Sequence, residues 1–263
     1  MGIYAVTGGS SGIGAKTISI LKQKGHETIN IDWKRGDIEA DLSLPEGRQK
    51  AIDELHGLCP QGLDGLVLCA GIPGSRKDLR LILSVNYFGT ISIIKGAYDL
   101  LKRRKGSCVV TGSSAISRED MKNDLVDLLN NNSDDEYRIL EVIGQMDQTD
   151  LNTGDRIYAA SKYALCRWMR RHSASYAANG VRINAVAPGN VNAPMTATGS
   201  ENAAAALNAL PIPTKYGSQN QLEAEEIASV ITFLISREAR GVNGIILFVD
   251  GGTDALLNTE KVY

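Results

Sequence analysis

A tyrosine and a lysine four residues apart, Tyr158 and Lys162, are the residues of this chain best suited to exchange a proton with an oxygen atom. The alanine-rich stretch that contains them favours a helix, which would project both side chains from one face. A free tyrosine has a pKa near 10, and a neighbouring ammonium stabilises the phenolate and lowers that pKa. The pair can then act as acid and base toward an alcohol or a carbonyl oxygen. The spacing alone is weak evidence, because both residue types are common on exposed helix faces.

A glycine-rich turn stands near the start of the chain, between a β-branched run and an amphipathic run. Residues 7–14 read TGGSSGIG. Glycines allow a tight turn and the close approach of a phosphate, and the amides that begin a helix attract a pyrophosphate. An ordinary strand-to-helix turn is the alternative interpretation. The residues predicted to bind a dinucleotide here are Gly8, Ser10, Ser11, Gly12, Ile13 and Gly14.

An acidic residue, Asp32, stands at the end of the second strand candidate, 18 residues beyond the glycine turn. A carboxylate there accepts hydrogen bonds from the ribose hydroxyls of adenosine and repels a 2′-phosphate, which favours NAD over NADP. A solvated turn carboxylate is the alternative. Lys34 and Arg35 lie close by and weaken the preference for NAD. Asp41 and Leu42 are candidates for contact with adenine, although Asp41 also fits an ordinary loop.

Short apolar or β-branched runs alternate with longer stretches of helical spacing along the chain. Several of the short runs are apolar throughout, as strands covered on both faces are. This alternation predicts an α/β fold: a single domain over residues 1–263, with a Rossmann-type doubly wound parallel sheet and helices on both faces. The strand candidates are Ile3–Val6, Thr28–Ile31, Leu63–Cys69, Cys108–Thr111, Arg182–Val186 and Ile245–Val249. The helix candidates are Ala15–Lys24, Glu46–His56, Leu79–Arg103, Tyr158–Ala178 and Ala224–Ile235.

Two stretches interrupt this alternation. Residues 115–155 form a long polar insertion with an acidic, asparagine-rich patch over 130–136 and an amphipathic run, Tyr137–Met146. Residues 190–217 are rich in Ala, Asn, Pro and Thr and have the weak patterning of a loop. Both stretches follow strand candidates, so we expect both at the sheet edge where open α/β folds bind ligands.

The composition excludes several classes of function. The chain has 263 residues, a formal net charge of −2 and a pI of about 6.0, so it lacks the basic field that recruits nucleic acid or an anionic membrane. It has no apolar run of the roughly 18 residues that a membrane span needs. Its first residues lack a secretory signal, which predicts a cytoplasmic protein with small-molecule partners. The four cysteines are widely spaced and no histidine lies near the motifs, so no metal site is predicted.

Together these motifs resemble the short-chain dehydrogenase/reductase family. The order of a glycine turn, a strand ending in Ser113-Ser114 and a Tyr-x-x-x-Lys helix is specific to that family, and the match spans nearly the whole chain. The resemblance implies an oxidoreductase that transfers a hydride between NAD and a carbonyl or alcohol carbon. The matching residues are Thr7, Gly8, Gly12, Gly14, Cys69, Ala70, Gly71, Asn86, Ser114, Tyr158, Lys162, Pro188 and Gly189.

The resemblance also implies a role for each catalytic residue. Tyr158 would be the general acid/base, and Ser114 would donate a hydrogen bond to the substrate oxygen, with Ser113 as the competing serine. Lys162 would bind the nicotinamide ribose and lower the pKa of Tyr158. Asn86 matches the asparagine that holds a water leading from the lysine to solvent. The alternatives are a hydroxyl that caps the strand end for Ser114 and a helix-interior amide bonded to the main chain for Asn86.

Two departures from the family pattern affect the cofactor site. Residues 69–71 read CAG where the family usually has Asn-Ala-Gly, so a thiol would pack where an amide braces the sheet. After Pro188-Gly189 the family commonly has a threonine that contacts the nicotinamide carboxamide. Here residues 190–193 read NVNA instead. That contact would fall to the Val191 backbone or to Thr196. The further residues expected to contact the cofactor are Cys69, Ala70, Gly71, Pro188, Gly189 and Val191.

Ser114 and Tyr158 are 44 positions apart, a longer separation than is usual in the family. With segments 64–71, 84–89 and 249–255, the insertion resembles the bacterial 3α-hydroxysteroid dehydrogenase/carbonyl reductase subgroup. That resemblance implies a steroid or bile-acid substrate whose 3α-hydroxyl and 3-ketone are interconverted with NAD. It also implies a homodimer or homotetramer, although the insertion would obstruct the four-helix interface that the family commonly uses. The alternative is that the insertion is a surface segment without a functional role, a passive surface excursion of the chain.

Two other functions stay open. The same hydride chemistry could act on a xenobiotic ketone, a sugar, an acyl substrate, or the 7- or 12-hydroxyl of a bile acid. A nucleotide-sensing regulator would instead bind NAD without catalysis and signal through the insertion. Regulators of that kind usually lack the Tyr-Lys pair, which this chain retains.

Overall fold

A computed structural model describes residues 1–118, 123–132, 134–146, 152–193, 210–214 and 221–262. Its centre is a seven-stranded sheet in which each neighbouring pair of strands is parallel. Two further strands of two residues each form a separate parallel ladder. The strands are β1 (Ile3–Thr7), β2 (Glu27–Asp32), β3 (Ile38–Glu39), β4 (Gly65–Leu68), β5 (Ser107–Thr111), β6 (Arg182–Pro188), β7 (Val191–Asn192), β8 (Leu222–Glu223) and β9 (Ile246–Val249).

The strand order creates a crevice at the middle of the sheet. The order is β3-β2-β1-β4-β5-β6-β9. The strands that follow β1 in the chain, β2 and β3, therefore lie on one side of it, whereas β4 and the later strands lie on the other side. The carboxyl ends of β1 and β4 border the point where the direction changes, which is where open α/β sheets bind ligands. The glycine turn and residues 69–71 follow these two strands. The doubly wound parallel sheet predicted from the sequence is confirmed.

Successive residues of the central strands face opposite sides of the sheet and enter two separate cores. Ala5 of β1 and Val110 of β5 pack in one core, and their neighbours Val6 and Val109 pack in the other. All four side chains are fully buried. Burial on both faces explains why these strands are apolar throughout instead of alternating.

Helices connect the strands, and the stretch predicted as one helix over Leu79–Arg103 is divided. A π-helical segment, Ser84–Gly89, interrupts it, and a second break at Ala97 separates the last two turns. Single π-turns within helices are frequent at functional sites. The α-helices are α1 (Gly12–Gln23), α2 (Pro45–Leu58), α3 (Leu79–Leu83), α4 (Thr90–Gly96), α5 (Tyr98–Arg104), α6 (Asn123–Asn131), α7 (Glu136–Gly144), α8 (Thr153–Ala177), α9 (Ala224–Ile235) and α10 (Thr253–Leu257).

The insertion packs against the body of the molecule. Helix α6 lies on α8, and helix α7 lies on α3. Arg48 of α2 holds α7 through a two-pronged ion pair with Glu136, with N–O distances of 2.6 and 2.8 Å. The same guanidinium donates to the carbonyl oxygens of Leu42, Ser43 and Ser84. Arg48 is buried, and its guanidinium bonds to all four of these residues. These bonds fix helix α7 of the insertion to helix α2 and to the segments beside it.

The amphipathic pattern predicts α7 correctly, whereas α6, α10, β3, β7 and β8 have no counterpart among the sequence predictions. Strands of two residues are too short to show an alternating pattern. Helix α6 ends at Asn131, inside the asparagine-rich patch, and it packs on α8; its buried residues are Leu125, Val126 and Leu129.

Candidate active site

Close backbone contacts shape the glycine turn between β1 and α1. Gly8 has a φ of +69°, and a Cβ at this residue would lie 2.7 Å from the Ala70 nitrogen. Gly12 has a φ of +51°, and a Cβ on Gly14 would press into the carbonyl oxygen of Gly8. Left-handed backbone and contacts of this kind disfavour any residue with a side chain. The geometry therefore requires glycine at each of these three positions, as the dinucleotide pattern predicts.

Helix α1 opens toward the crevice without a side-chain cap. In the described structure the Ser11 side chain makes no capping hydrogen bond, and the first turn of the helix carries no acidic side chain. Ser10 and Ser11 are exposed at the tip of the turn, while Ile13 is partly buried against the core. The first amides of a helix and the positive end of its dipole together bind phosphate groups. This turn therefore fits the pyrophosphate of a dinucleotide.

Asp32 ends β2 and reaches back to the glycine turn. Its Oδ2 accepts a hydrogen bond from the Ser10 amide at 3.0 Å, and its Oδ1 accepts one from the Trp33 amide at 2.8 Å. The carboxylate is thus held beside the turn, where the ribose of a bound dinucleotide would lie.

Asp41 and Leu42 have structural partners of their own. The Asp41 carboxylate accepts hydrogen bonds from the amide and hydroxyl of Ser43, at 2.9 and 2.7 Å. The Leu42 side chain is buried, and its carbonyl oxygen accepts a hydrogen bond from Arg48. Their contact with adenine stays a prediction.

The segment after β4 joins the crevice through Cys69 and Ala70. The Cys69 sulfur accepts a hydrogen bond from the Thr111 hydroxyl at 3.4 Å, and burial raises the pKa of the thiol to about 11. The Ala70 amide donates to the Thr7 hydroxyl at 3.1 Å. A neutral thiol therefore packs where the family usually has an amide, as the sequence predicts, and Gly71 follows it at the same edge.

Tyr158 and Lys162 lie one turn apart on α8, at the carboxyl end of β5. Lys162 is buried, and its Nζ donates to the Thr111 carbonyl oxygen at 2.9 Å. The same nitrogen lies 5.8 Å from the centre of the Tyr158 ring. The helix thus brings the two side chains together, as their spacing predicts, at the edge of the sheet that carries the glycine turn.

Ser113, and not Ser114, is the serine that the structure brings to Tyr158. The Ser113 side chain lies beside Tyr158 and lowers the pKa of the phenol, and the Ser113 Oγ accepts a hydrogen bond from the Ala115 amide at 3.1 Å. The Ser114 hydroxyl is buried, and among the described residues it has no hydrogen-bond partner. The assignment of Ser114 as the residue that faces the substrate stays a prediction, with Ser113 as the competing serine. In extended backbone a shift of one residue turns the side chain to the opposite side, so alignment of the strand end alone did not separate the two serines.

Burial governs the proton affinity of Tyr158 and Lys162. It raises the pKa of Tyr158 above its ordinary value, with an opposing contribution from the Ser113 hydrogen bond and a further increase from the Asp155 carboxylate. It also lowers the pKa of Lys162 to about 8. Loss of hydration favours the neutral form of both groups, and the expected role of Lys162 in lowering the pKa of Tyr158 stays a prediction.

Asn86 is fully buried in the π-helical segment and braces the chain after β4. Its Oδ1 accepts from the Ile72 amide at 2.8 Å, and its Nδ2 donates to the Ile72 carbonyl oxygen at 2.9 Å. The amide is thus bonded across to another segment and not back to its own helix. Its role in holding a water toward Lys162 stays a prediction.

The segment after β6 carries the remaining predicted cofactor contacts. Pro188 ends β6, and the Gly189 amide donates to the Val249 carbonyl oxygen at 3.0 Å. Val191 is buried in the two-residue strand β7, which pairs with β8. Thr196, the alternative contact for the nicotinamide carboxamide, lies outside the described residues.

Apolar side chains form a wall beside Tyr158. Leu210, Ala115 and Ala159 pack together there, against the tyrosine ring. The Leu210 carbonyl oxygen is held by the Asn190 side chain at 2.7 Å. The side chains packed around the Tyr158 ring on this side are therefore apolar.

A buried hydrogen-bond network at α10 supports this wall, and the sequence analysis did not identify it. The Asp254 carboxylate accepts from the Ser117 hydroxyl at 2.5 Å and from the Asn258 amide at 2.9 Å. The Thr253 hydroxyl donates to the Pro211 carbonyl oxygen at 2.6 Å. Helix α10 thus links the turn after β5 to the segment that carries the wall. The partners are too far apart in the chain for a local pattern to reveal them.

Comparison with known proteins agrees with this geometry. Residues 142–254 match a family model described as enoyl-(acyl carrier protein) reductase. Over 264 aligned residues the chain is 35% identical to a 3-alpha-hydroxysteroid dehydrogenase/carbonyl reductase of Comamonas testosteroni, covering 99% of this chain and 100% of that protein. The chain belongs to the short-chain dehydrogenase/reductase family.

Two further relatives extend the comparison. The crystal structure of a 3-alpha-hydroxysteroid dehydrogenase from Pseudomonas sp. B-0831, complexed with NADH, matches with a TM-score of 0.90 and 35% identity, over 99% of this chain and 100% of that one. A coniferyl-alcohol dehydrogenase of a Pseudomonas species is 30% identical over 94% of both chains. As a member of this family the protein is an oxidoreductase with NAD as its cofactor, and the glycine turn, the uncapped start of α1 and Asp32 fit that dinucleotide.

Within the described residues, no group of three or more His, Cys, Asp or Glu side chains is arranged to bind a metal ion. None of the described helices has the length and apolar character needed to cross a membrane.

Proposed function

We propose that the protein is an NAD-dependent hydroxysteroid dehydrogenase that interconverts the 3α-hydroxyl and the 3-ketone of a steroid or bile acid. The observation that carries this proposal is the position of the Tyr158 phenol, between the Ser113 hydroxyl and the buried Lys162, beside an apolar wall. A secondary alcohol or ketone needs one group that exchanges its proton and another that orients its oxygen. These side chains supply both.

Each side chain has a defined step in this reaction. When bound, NAD supplies the hydride chemistry: it accepts the hydride in oxidation and returns it, as NADH, in reduction. The Tyr158 phenolate accepts the hydroxyl proton during oxidation, and the phenol gives a proton to the oxygen during reduction. Ser113 donates to the same oxygen, with its own orientation fixed by the Ala115 amide. The charged form of Lys162 stabilises the phenolate and so makes proton transfer easier.

Three observations support a steroid over a small polar substrate. Leu210, Ala115 and Ala159 make the surroundings of the phenol apolar. The chain is similar over its full length to the Comamonas testosteroni enzyme and to the Pseudomonas enzyme, both named for 3α-hydroxysteroids. The insertion is anchored by Arg48, which argues against a passive surface excursion.

We also propose a homodimer or homotetramer that does not use the outer face of α8. Helix α6 packs on α8, which would contribute to the four-helix interface common in the family. The assembly must therefore use another face of the molecule.

A dehydrogenase for a smaller aromatic alcohol is the second candidate. The 30% identity to a coniferyl-alcohol dehydrogenase favours it, and the same tyrosine and serine would serve. A planar aromatic alcohol would also pack against the apolar wall.

A substrate panel tests both candidates. The purified protein is mixed with NAD and a 3α-hydroxysteroid, its 3β epimer, 7- and 12-hydroxy bile acids, or coniferyl alcohol, and reduced cofactor is followed by absorbance. We expect kcat/KM for the 3α-hydroxysteroid to exceed that of its 3β epimer by at least about tenfold, since the catalytic groups approach from one side. Turnover of coniferyl alcohol alone would reject the steroid proposal. Absence of turnover with every substrate, in protein that binds NAD, would reject both and favour a regulator.

A further inference from the structure

An exposed tryptophan stands next to the cofactor edge and has no role in the function described so far. Trp33 follows Asp32 directly at the carboxyl end of β2, and 66% of its side chain is exposed. The only other tryptophan of the chain, Trp168, is 3% exposed in the core, where it stacks on His172. A large exposed aromatic side chain beside a ligand crevice indicates a contact that the ligand completes.

The turn that carries Trp33 is attached to the glycine turn. The Ser10 hydroxyl donates to the carbonyl oxygens of Lys34 and Arg35, at 3.0 and 3.3 Å. The Ser10 amide donates to Asp32, whose other oxygen accepts the Trp33 amide. Trp33 is therefore held directly beside Asp32 and the glycine turn, the residues predicted to bind the adenosine ribose and the pyrophosphate.

The two basic residues of this turn have different surroundings. The Lys34 ammonium lies over the Trp33 ring, 4.0 Å from its centre, in a cation–π contact. Arg35 lines a cavity of about 320 Å³ between α1 and β2, together with Lys22 and Asp37. Lys34 is thus the cation whose position depends on the indole. A lysine near the adenosine ribose would otherwise attract a 2′-phosphate.

We propose that Trp33 stacks on the adenine ring of NAD with one face and holds the Lys34 ammonium on the other, so that the two residues set the preference for NAD over NADP. Stacking of a base on an aromatic side chain contributes about tenfold or more to affinity. Holding Lys34 on the indole leaves Asp32 as the charge that meets the ribose. This inference rests on dinucleotide binding and is independent of the steroid proposal.

Tryptophan fluorescence tests the stacking without any catalytic turnover. Wild-type protein and the Trp33→Phe variant are titrated with NAD, with AMP and with nicotinamide mononucleotide. We expect NAD and AMP to quench the wild-type emission in a saturable manner, and neither to quench Trp33→Phe, which retains Trp168. Quenching that persists in Trp33→Phe, or is absent from wild type while calorimetry shows NAD bound, would overturn the stacking.

Calorimetric dissociation constants for NAD and NADP test the role of Lys34. In Trp33→Ala we expect NAD to bind about tenfold more weakly and the ratio of the NADP to the NAD dissociation constant to fall about tenfold, because the ammonium is released. Lys34→Ala alone should change neither constant by more than about threefold, and Trp33→Ala/Lys34→Ala should regain the wild-type ratio. An unchanged NAD constant in Trp33→Ala overturns the stacking, and equal weakening of both cofactors overturns the role of Lys34. Because only binding is measured, failure of the steroid proposal would leave these results unaffected.

Discussion

The active-site edge has two halves that are held together differently. Backbone contacts hold the cofactor half, which consists of the glycine turn and Asp32. Side chains from distant segments hold the substrate half, which consists of the apolar wall beside Tyr158 and helix α10. In the cofactor half, the Gly8 amide donates to the Ile31 carbonyl oxygen at 2.9 Å, and the missing side chains of three glycines make room for the turn. In the substrate half, the Ser117 hydroxyl and the Asp254 carboxylate are 137 residues apart in the chain and 2.5 Å apart in space.

This difference separates the expected effects of substitution in the two halves. A side chain added to the cofactor half has to displace backbone, so we expect it to affect both folding and NAD binding. A side chain removed from the substrate half leaves the sheet intact, so we expect it to affect the substrate more than the cofactor. Tyr158 and Ser113, which we propose act on the substrate oxygen, lie where the halves meet.

The largest effect is expected from Tyr158→Phe, which removes the group that exchanges the proton in both directions. Turnover should fall about a thousandfold, since acid/base catalysis contributes on the order of 10² to 10⁴. The dissociation constant of NAD, measured by calorimetry, should stay within about twofold of wild type, because the ring remains. Tyr163→Phe on the same helix, at a side chain that is 38% exposed, is the matched control and should keep full activity. Comparable turnover in Tyr158→Phe and wild type would show that another group moves the proton.

The next effect separates the two adjacent serines. Ser113→Ala removes the hydroxyl that pairs with Tyr158, so kcat should fall about a hundredfold, as loss of one donor to a reacting oxygen does. Ser114→Ala removes a buried hydroxyl that has no hydrogen-bond partner among the described residues, and it should change kcat by less than about threefold. Steady-state kinetics of both variants provide the test, and the reverse order of effects would support Ser114 as the substrate-facing residue.

The pH profile should reflect the burial of the catalytic pair. Burial raises the pKa of Tyr158, so the phenol predominates at neutral pH. Alcohol oxidation requires the phenolate and is therefore slow at neutral pH. The kcat/KM for oxidation should therefore rise with pH by up to about tenfold per unit, while that for carbonyl reduction falls once the phenol is lost. Above pH 8 the slope should flatten, because Lys162, with a pKa of about 8, loses the charge that stabilises the phenolate.

The variant Lys162→Met checks this assignment. It should slow oxidation at pH 7 and remove the change of slope near pH 8. A wild-type profile that is flat from pH 6 to pH 9 would contradict titration of Tyr158 as the controlling event.

In the cofactor half, Gly14→Ala places a methyl group against the Gly8 carbonyl oxygen. The NAD dissociation constant should rise about tenfold, and the free energy of unfolding should fall by about 1–3 kcal/mol, the usual cost of overpacking. Gly57→Ala in α2 is the control, because a Cβ at that position meets no atom within 4 Å. It should raise the free energy of unfolding by about 0.5–1 kcal/mol. Chemical denaturation and calorimetry measure both quantities, and equal behaviour of the two variants would refute the close-contact argument.

In the substrate half, Asp254→Ala removes the acceptor shared by Ser117 and Asn258. The wall beside Tyr158 then loses a support, so KM for the alcohol substrate should rise about fivefold with kcat and the NAD dissociation constant nearly unchanged. Asp254→Asn keeps one acceptor oxygen and should recover part of the affinity. A fall in kcat at constant KM, or an equal loss of NAD binding, would show that the two halves are not separable.

The sequence predicts the cofactor half well, because its constraints are local. The glycine turn, Asp32 and the strands around them are short-range patterns with a direct steric or electrostatic cause. The Tyr158–Lys162 pair follows from helical spacing, although its meaning depends on the other motifs. These features account for most of the sheet and half of the site.

The remaining features depend on distances that a local pattern does not contain. The choice between Ser113 and Ser114 turns on the residue at which β5 ends, and strand ends are the least certain part of a pattern. The π-helical segment that divides one long predicted helix depends on packing. The direction of the Tyr158 pKa shift depends on burial. The Asp254 network joins segments that meet only in the folded chain.

Arg48 has a consequence for how the molecule opens. Its buried guanidinium is shared by α7, by the loop at Leu42 and Ser43, and by the first residue of the π-helical segment, Ser84. Releasing any one of these acceptors leaves a buried charge short of partners, which is costly. The three segments should therefore exchange their amide hydrogens with solvent as one cooperative unit. Slower exchange caused by a dinucleotide at the crevice would then extend into the insertion, well beyond the atoms that the ligand touches.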